Sequence, residues 1–195
     1  MAEREDGSKQ ESGPGERYRL FATPFGVCGI AWNPIGLTRL QLPEATAEVT
    51  ERRLAAPGRQ PWEGPLPTPI ARAVAELERY FDGTATDFAG IDLDLGDRPP
   101  FHLALYAKIR LIPWGETTSY GALARDLGMP GAARAVGQAM GRNPVPVIVP
   151  CHRVLASGSG IGGFSAPGGK TTKQRLLELE RANAVERLPL FAPRR

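Results

Sequence analysis

Cys151 and His152 stand next to each other in Pro150-Cys151-His152-Arg153-Val154, a thiol beside an imidazole. A free thiol has a pKa of roughly 8.5 and holds little thiolate at neutral pH, so an imidazole that takes its proton multiplies the available nucleophile. The apolar run Val147-Ile148-Val149 reads as a buried strand, with Pro144 and Pro146 before it and Pro150 after it setting where the backbone turns. Neighbouring side chains on a strand face opposite ways. Cys151 and His152 therefore cooperate only if the chain leaves the strand at Pro150, in a turn or a single helical turn. A buried, inert cysteine is the competing reading of the same residues.

The elements around this motif fall on either side of residue 98. Tyr18-Arg19-Leu20-Phe21-Ala22, Val27 to Trp32 and Leu37 to Leu42 read as three strands separated by Pro24-Phe25-Gly26 and Asn33-Pro34-Ile35-Gly36, an antiparallel meander. Cys28 lies on the central strand and reads as core. After a proline- and glycine-rich loop from Pro57 to Pro69, Ile70, Val74, Leu77 and Phe81 recur at helical spacing, Asp82-Gly83 stops that helix, and Ile91-Asp92-Leu93-Asp94-Leu95 alternates as a further strand. Pro99-Pro100 opens a helix with Phe101, Leu105, Ile109 and Ile112 near one face, ended by Pro113-Trp114-Gly115. Ser119 caps a helix through Tyr120, Leu123, Ala124 and Leu127. Gly128-Met129-Pro130 turns the chain into a second, small-residue helix from Ala132 to Met140, a helix-turn-helix arrangement. Arg134 is the one long cation on that second helix, among alanines and glycine that allow close backbone approach.

Composition and charge narrow the classes. At 195 residues with 42% hydrophobic content, the chain can bury a core without metals or disulfides. No apolar run is long enough to span a bilayer, and the first 16 residues are acidic and polar, unlike a signal peptide. The two cysteines, Cys28 and Cys151, lie in unrelated contexts, which fits a reducing, cytoplasmic setting. With two histidines and none of the paired spacings of zinc sites, no metal is expected. The net charge of +3 conceals a split. Residues 1–98 carry 11 basic and 16 acidic side chains, a balance of −5, and the rest carry 13 and 5, a balance of +8. A basic half containing the Cys-His motif suits a polyanionic partner, although solvated surface charge gives the same balance.

The ordered motifs Tyr120, Ala132-Ala133-Arg134-Ala135-Val136-Gly137, Asn143-Pro144-Val145-Pro146 and Pro150-Cys151-His152-Arg153-Val154 resemble those of the O6-alkylguanine-DNA alkyltransferases, also called methylated-DNA-protein-cysteine methyltransferases. The resemblance runs from about Pro99 to Glu180 and is weaker before it. It implies an α+β chain: a disordered tail (1–16), a small ribonuclease-H-like sheet-and-helix domain (17–98), a mainly helical alkyltransferase domain with a DNA-binding helix-turn-helix (99–186), and a C-terminal tail (187–195). It further implies that Cys151 accepts the alkyl group from O6-methylguanine, with O4-methylthymine as a further substrate, that His152 is a base working through a water, and that Glu180, on a helix from Thr172 to Glu180, orients His152. Asn143 would brace the motif and Tyr120 would donate a proton towards the guanine ring. Arg134 would replace the flipped nucleotide, with Ala133, Ala135, Gly137 and Tyr120 against the minor groove of double-stranded DNA. Met140, Val154, Phe164, Ser165 and Lys173 would form the base pocket, the Ser165 amide meeting O6 and the Val154 carbonyl meeting the exocyclic amine. No cofactor, no membrane and a monomeric protein are implied.

A thioether on Cys151 is stable, and no second cysteine or base stands ready to remove it, so each molecule is expected to act once. A Cys-His hydrolase would turn over, with Asn143 as the residue orienting its histidine, but such enzymes usually supply the imidazole from a distant segment. A non-catalytic lesion binder would share the flipping apparatus and lack the acceptor, which Cys151 here supplies. Two departures from the family pattern stand out. Phe164 occupies a position where a tyrosine is usual, and Ala166-Pro167-Gly168-Gly169-Lys170 looks about two residues longer than usual before the Lys173 helix.

Overall fold

Three strands form the first layer: β1 (Arg17–Thr23), β2 (Gly26–Trp32) and β3 (Leu37–Gln41) pair as the expected antiparallel meander. The computed structural model describes residues 15–157 and 160–180. At the second turn the Asn33 side-chain oxygen accepts from the amides of Ile35 and Gly36, the local bonding that makes asparagine a turn residue. A two-residue edge strand, β4 (Gln60–Pro61), lies parallel to β1 and completes the order β3-β2-β1-β4. It sits inside the expected loop and is too short to leave a periodicity. The expected tail is anchored at its end, where Glu16 pairs with Arg59 at 2.5 Å. Residues 1–14 and 187–195, assigned to the tails, lie outside the described residues, as do 181–186.

Helix α1 (Ala47–Leu54) has no counterpart in the sequence reading. Its Thr46 cap accepts from the Val49 amide, and only Thr50 and Leu54 are buried, so its apolar stripe is too narrow to register as a period. Leu54 packs against Tyr18 and Ala31 of the sheet. Helix α2 (Thr68–Phe81) buries Ile70, Ala73, Leu77, Tyr80 and Phe81, and Gly83 at φ 82° ends it in the left-handed region. The expected strand over Ile91 to Leu95 does not form. Only Leu93 makes a bridge, to Leu37. The Asp92 carbonyl and the Asp94 amide pair with Leu37, but the Ile91 carbonyl goes to the Arg110 guanidinium and the Asp94 carboxylate takes the Asn33 side chain and the Gly96 amide, which turns the chain after that one bridge.

The second half is α3 (Pro100–Arg110), β5 (Thr118–Ser119), α4 (Tyr120–Asp126), α5 (Ala133–Met140), a single 3-10 turn (Cys151–Arg153), β6 (Val154–Leu155) and α6 (Gly169–Leu179). Strands β5 and β6 pair in parallel, fixing the start of α4 beside the end of the Cys-His motif. One apolar core runs through both halves, from Ile30 and Leu77 to Ile109, Val136 and Leu176. Hydrogen bonds also tie its layers. The Leu40 amide on β3 donates to the Pro144 carbonyl at 2.9 Å, and the Tyr106 hydroxyl on α3 donates to the Ala139 carbonyl on α5 at 2.7 Å.

Candidate active site

Cys151 is presented by a backbone that is buried but not a strand. Val147 has φ 74°, a left-handed conformation that a β-branched residue rarely adopts and that costs of order 1–3 kcal/mol. The Val145–Val149 stretch closes on itself, with the Val149 amide bonded to the Val145 carbonyl at 2.9 Å. The expectation of a strand over Val147 to Val149 is therefore corrected: an apolar run reports burial, not conformation. Asn143 closes this loop from within. Its oxygen accepts from the Val145 amide at 3.0 Å, and its amide donates to the Val149 carbonyl at 2.8 Å and to Cys151 Sγ at 3.2 Å. Asn143 makes no recorded bond to His152, which removes the arrangement a Cys-His hydrolase would use. Pro150 then releases the chain into the 3-10 turn that sequence geometry required.

Burial pushes the Cys151 thiol above its ordinary pKa, opposed by the Asn143 amide, the Lys173 charge and the backbone amides of Cys151 and His152. The resting group is a thiol that needs a base. Burial likewise pushes His152 down, which keeps its imidazole neutral. His152 Nε2 lies 2.7 Å from Glu180 Oε1. Burial alone would raise the Glu180 carboxyl, but His152 and Arg153 outweigh it and hold it at about 2. Arg153 grips it with Nε on Oε2 at 2.9 Å and Nη2 on Oε1 at 3.0 Å. An ionised carboxylate only accepts, so Nε2 carries the ring proton and Nδ1 carries the lone pair. Nδ1 is buried and has no hydrogen-bond partner among the described residues. Tyr80, fully buried on α2, donates to Glu180 Oε1 at 2.7 Å and lies 3.3 Å from His152 Nε2.

Helices α4 and α5 pack across the turn at Gly128 and Gly131, both at positive φ, and Ser119 caps α4 by accepting from the Ala122 amide at 3.1 Å. Leu123, Ala124, Val136, Ala139 and Met140 face the core, and Arg134 is exposed. A cleft of about 580 Å³ runs along α5, lined by Tyr120, Ala133, Arg134, Gly137, Met140, Phe164, Ser165 and Cys151. Of the expected contact residues, Ala135 is half-buried and does not line it. Gly162, at φ 81°, lets the Tyr120 ring approach: a Cβ there would stand 3.0 Å from the Tyr120 hydroxyl.

The loop after the motif turns at Gly168 and Gly169, both at positive φ, and α6 begins at Gly169 instead of Thr172. Lys173 and Glu180 are seven residues apart, two turns of helix, and both point inward. Lys173 Nζ donates to the carbonyls of Val154 at 2.6 Å and Gly163 at 3.3 Å, and burial brings its pKa to about 8. Val154 and Lys173 thus stand behind the cleft wall, and the Val154 carbonyl expected to meet a base amine here accepts from Lys173.

Residues 17–95 match the family described as "6-O-methylguanine DNA methyltransferase, ribonuclease-like domain", and residues 100–182 match its "DNA binding domain". The methylated-DNA–protein-cysteine methyltransferase of Mycobacterium tuberculosis is 40% identical over 174 residues, spanning 89% of this chain and 98% of that protein. This chain belongs to the methylated-DNA–protein-cysteine methyltransferase family. A mouse methyltransferase of the same name is 35% identical over 84% of the chain and 81% of its own length. The solved structure of Mycobacterium tuberculosis OGT in complex with DNA superposes with a TM-score of 0.70 at 38% identity, covering 90% of this chain and 99% of that one.

As a methyltransferase, the chain has the α+β fold expected, a ribonuclease-like first part followed by a DNA-binding part. The sequence reading did not single out Tyr80, whose place at the end of a periodic helix looked like ordinary core. The sequence reading gives Arg153, within the Cys-His motif, no role. Its signal is weak, since a guanidinium beside an apolar motif can be satisfied by carbonyls as well as by a carboxylate, and Arg153 takes both Ile112 and Glu180. Among the described residues no group of three or more His, Cys, Asp or Glu is gathered to hold a metal, and no helix is long and apolar enough to cross a membrane.

Proposed function

We propose that this protein takes the alkyl group from O6-alkylguanine in duplex DNA onto Cys151 Sγ, once per molecule. The observation that carries this reading is that Cys151 lines the same cleft as Arg134 and Tyr120. A base inside a duplex is out of reach of a side-chain sulfur, so the nucleotide must be extruded into the cleft at a cost of a few kcal/mol. Arg134, exposed at the start of α5 beside small residues, fills the vacated stack from the minor groove. The Mycobacterium tuberculosis OGT was solved with DNA, and a Thermus thermophilus relative, 37% identical over 75% of this chain and 89% of its own length, is named a DNA base-flipping protein.

His152 Nδ1 takes the thiol proton through a water, and Glu180 holds the ring by its Nε2–H. Sulfur then bonds to the alkyl carbon as the carbon–O6 bond breaks, and the electron pair passes into the guanine ring. Tyr120 meets that growing charge; burial and then the Cys151 charge keep its hydroxyl protonated and able to donate. In net terms the alkyl group ends on sulfur and the thiol proton on guanine. Phe164 and Ser165 wall the base, and Lys173 sets the wall by pinning Val154 and Gly163. The expected domain limits at residue 98 and the cytoplasmic location belong to the same reading, since a reduced acceptor thiol must work where DNA is held. Mixing the protein with an O6-methylguanine oligonucleotide and weighing the Cys151 peptide tests it: a gain of one methylene, lost in Cys151→Ala, is expected, and tight binding with unchanged mass overturns transfer.

A further inference from the structure

We propose that Arg39, Arg53, Arg98 and Arg142 form a phosphate-binding cleft that adjoins the α5 cleft at Cys151, Phe164 and Ser165 and opens on the side of β3 and α1. The space measures about 340 Å³. Its walls come from β3 (Arg39), the end of α1 (Arg53), the connection before α3 (Arg98) and the residue following the α5 cap (Arg142), with Cys151 also lining it. Four guanidiniums face one carboxylate, Glu44, which is already paired with Arg53 at 3.3 Å. Three of the four arginines come from the first 98 residues, the half whose balance is −5. Gathering them on one wall runs against the average charge of that half.

The arginines are also underused. The Nε atoms of Arg39 and Arg98 are buried and bonded to no acceptor among the described residues, an unfavourable state that a ligand's oxygens would relieve. The remaining recorded donations are few: Arg39 to the Gln41 side chain at 3.2 Å, and Arg98 to the Arg142 carbonyl at 3.2 Å. Burial first, and then the charges of Arg59 and Arg53, lower the Arg39 pKa; Glu16 opposes them, and Arg98 adds a smaller push in the same direction as the other arginines. The bond from Leu40 to Pro144 holds the β3 wall against the Asn143-Pro144 wall, so these like charges stay together instead of drifting apart. Forked guanidiniums match the oxygens of a phosphate group in pairs, and several around one small space suit a tetrahedral dianion. The ligand is therefore a phosphate group, either of a nucleic-acid backbone or of a free phosphate ester.

The test uses the full chain and inorganic phosphate as probe, following the Arg side-chain Nε–H signals by NMR. Saturating shifts with a Kd on the order of 1 mM or below, absent with chloride at equal ionic strength, are expected. Arg39→Gln and Arg98→Gln each weaken binding by roughly tenfold. Undamaged duplex DNA then separates the two sources: displacement of phosphate assigns the cleft to backbone phosphate, and simultaneous binding assigns it to a free phosphate ester. No difference between phosphate and chloride in the wild-type protein, or full retention of binding in the doubly substituted protein with its fold intact, overturns the proposal. The readout is independent of alkyl transfer.

Discussion

The Tyr80 hydroxyl donates to Glu180 Oε1 at 2.7 Å, so a residue of the ribonuclease-like half completes the hydrogen-bond shell of the carboxylate that holds His152. Trp114 and Phe88 pack on the Tyr80 ring with centroids 5.2 and 5.6 Å away, which fixes where the hydroxyl points. The first half of the chain therefore reaches both His152 and Glu180 directly, through one buried oxygen.

Tyr80→Phe keeps the ring packing and removes that donor. Glu180 then bears more charge towards His152 and favours the imidazolium, so the acid limb of the rate–pH profile moves to higher pH. Alkyl transfer at neutral pH slows by about threefold to tenfold, as expected for losing a hydrogen bond to a charged group. A purely structural tyrosine would lower thermal stability without moving that limb, and stopped-flow transfer measured across pH distinguishes the two.

Arg134→Ala separates flipping from chemistry. Transfer from duplex O6-methylguanine is expected to fall by about tenfold or more, since part of a cost of a few kcal/mol is no longer offset. Reaction with free O6-benzylguanine, which needs no extrusion, stays near the wild-type rate. Equal losses on both substrates would remove Arg134 from the flipping role.

Glu180→Gln tests the buried ion pair by its pH dependence. The folded carboxyl lies at about 2 against an ordinary 4.5, so its contribution is fully present above pH 4.5 and is lost as pH falls towards 2. That contribution is about 3 kcal/mol. The stability gap between wild type and Glu180→Gln, measured by urea unfolding, should be widest near neutral pH and shrink through this acid window. A gap that is constant from pH 7 to 2.5 would show that Glu180 is not ionised in the fold.

Sequence alone determined the chemistry and the order of the parts. Cys151 beside His152 after Pro150, Arg134 among small residues, and Tyr120 behind a Ser119 cap are local facts, because turns, caps and helical periods are set by neighbours in the chain. Local signals also gave the meander, α2, α3, and the α4–turn–α5 pair. They misled where a segment's hydrogen bonds are satisfied from far away. Ile91 to Leu95 alternates like a strand, but after one bridge at Leu93 the Asp94 carboxylate, bound by Asn33 and the Gly96 amide, turns the chain. Val147 to Val149 looks like a strand, yet Asn143 folds it into a turn with Val147 at φ 74°. Tertiary structure decided what stands around the thiol. The turn at Gly168 and Gly169 and the course of α6 put Glu180 against His152, and only the packing of α2 on the second half brought Tyr80 to both. Such contacts join residues 28, 72 and 100 positions apart, as with His152–Glu180, Tyr80–His152 and Tyr80–Glu180. No periodicity or spacing encodes a distance of that kind, because it is set by how the whole core closes.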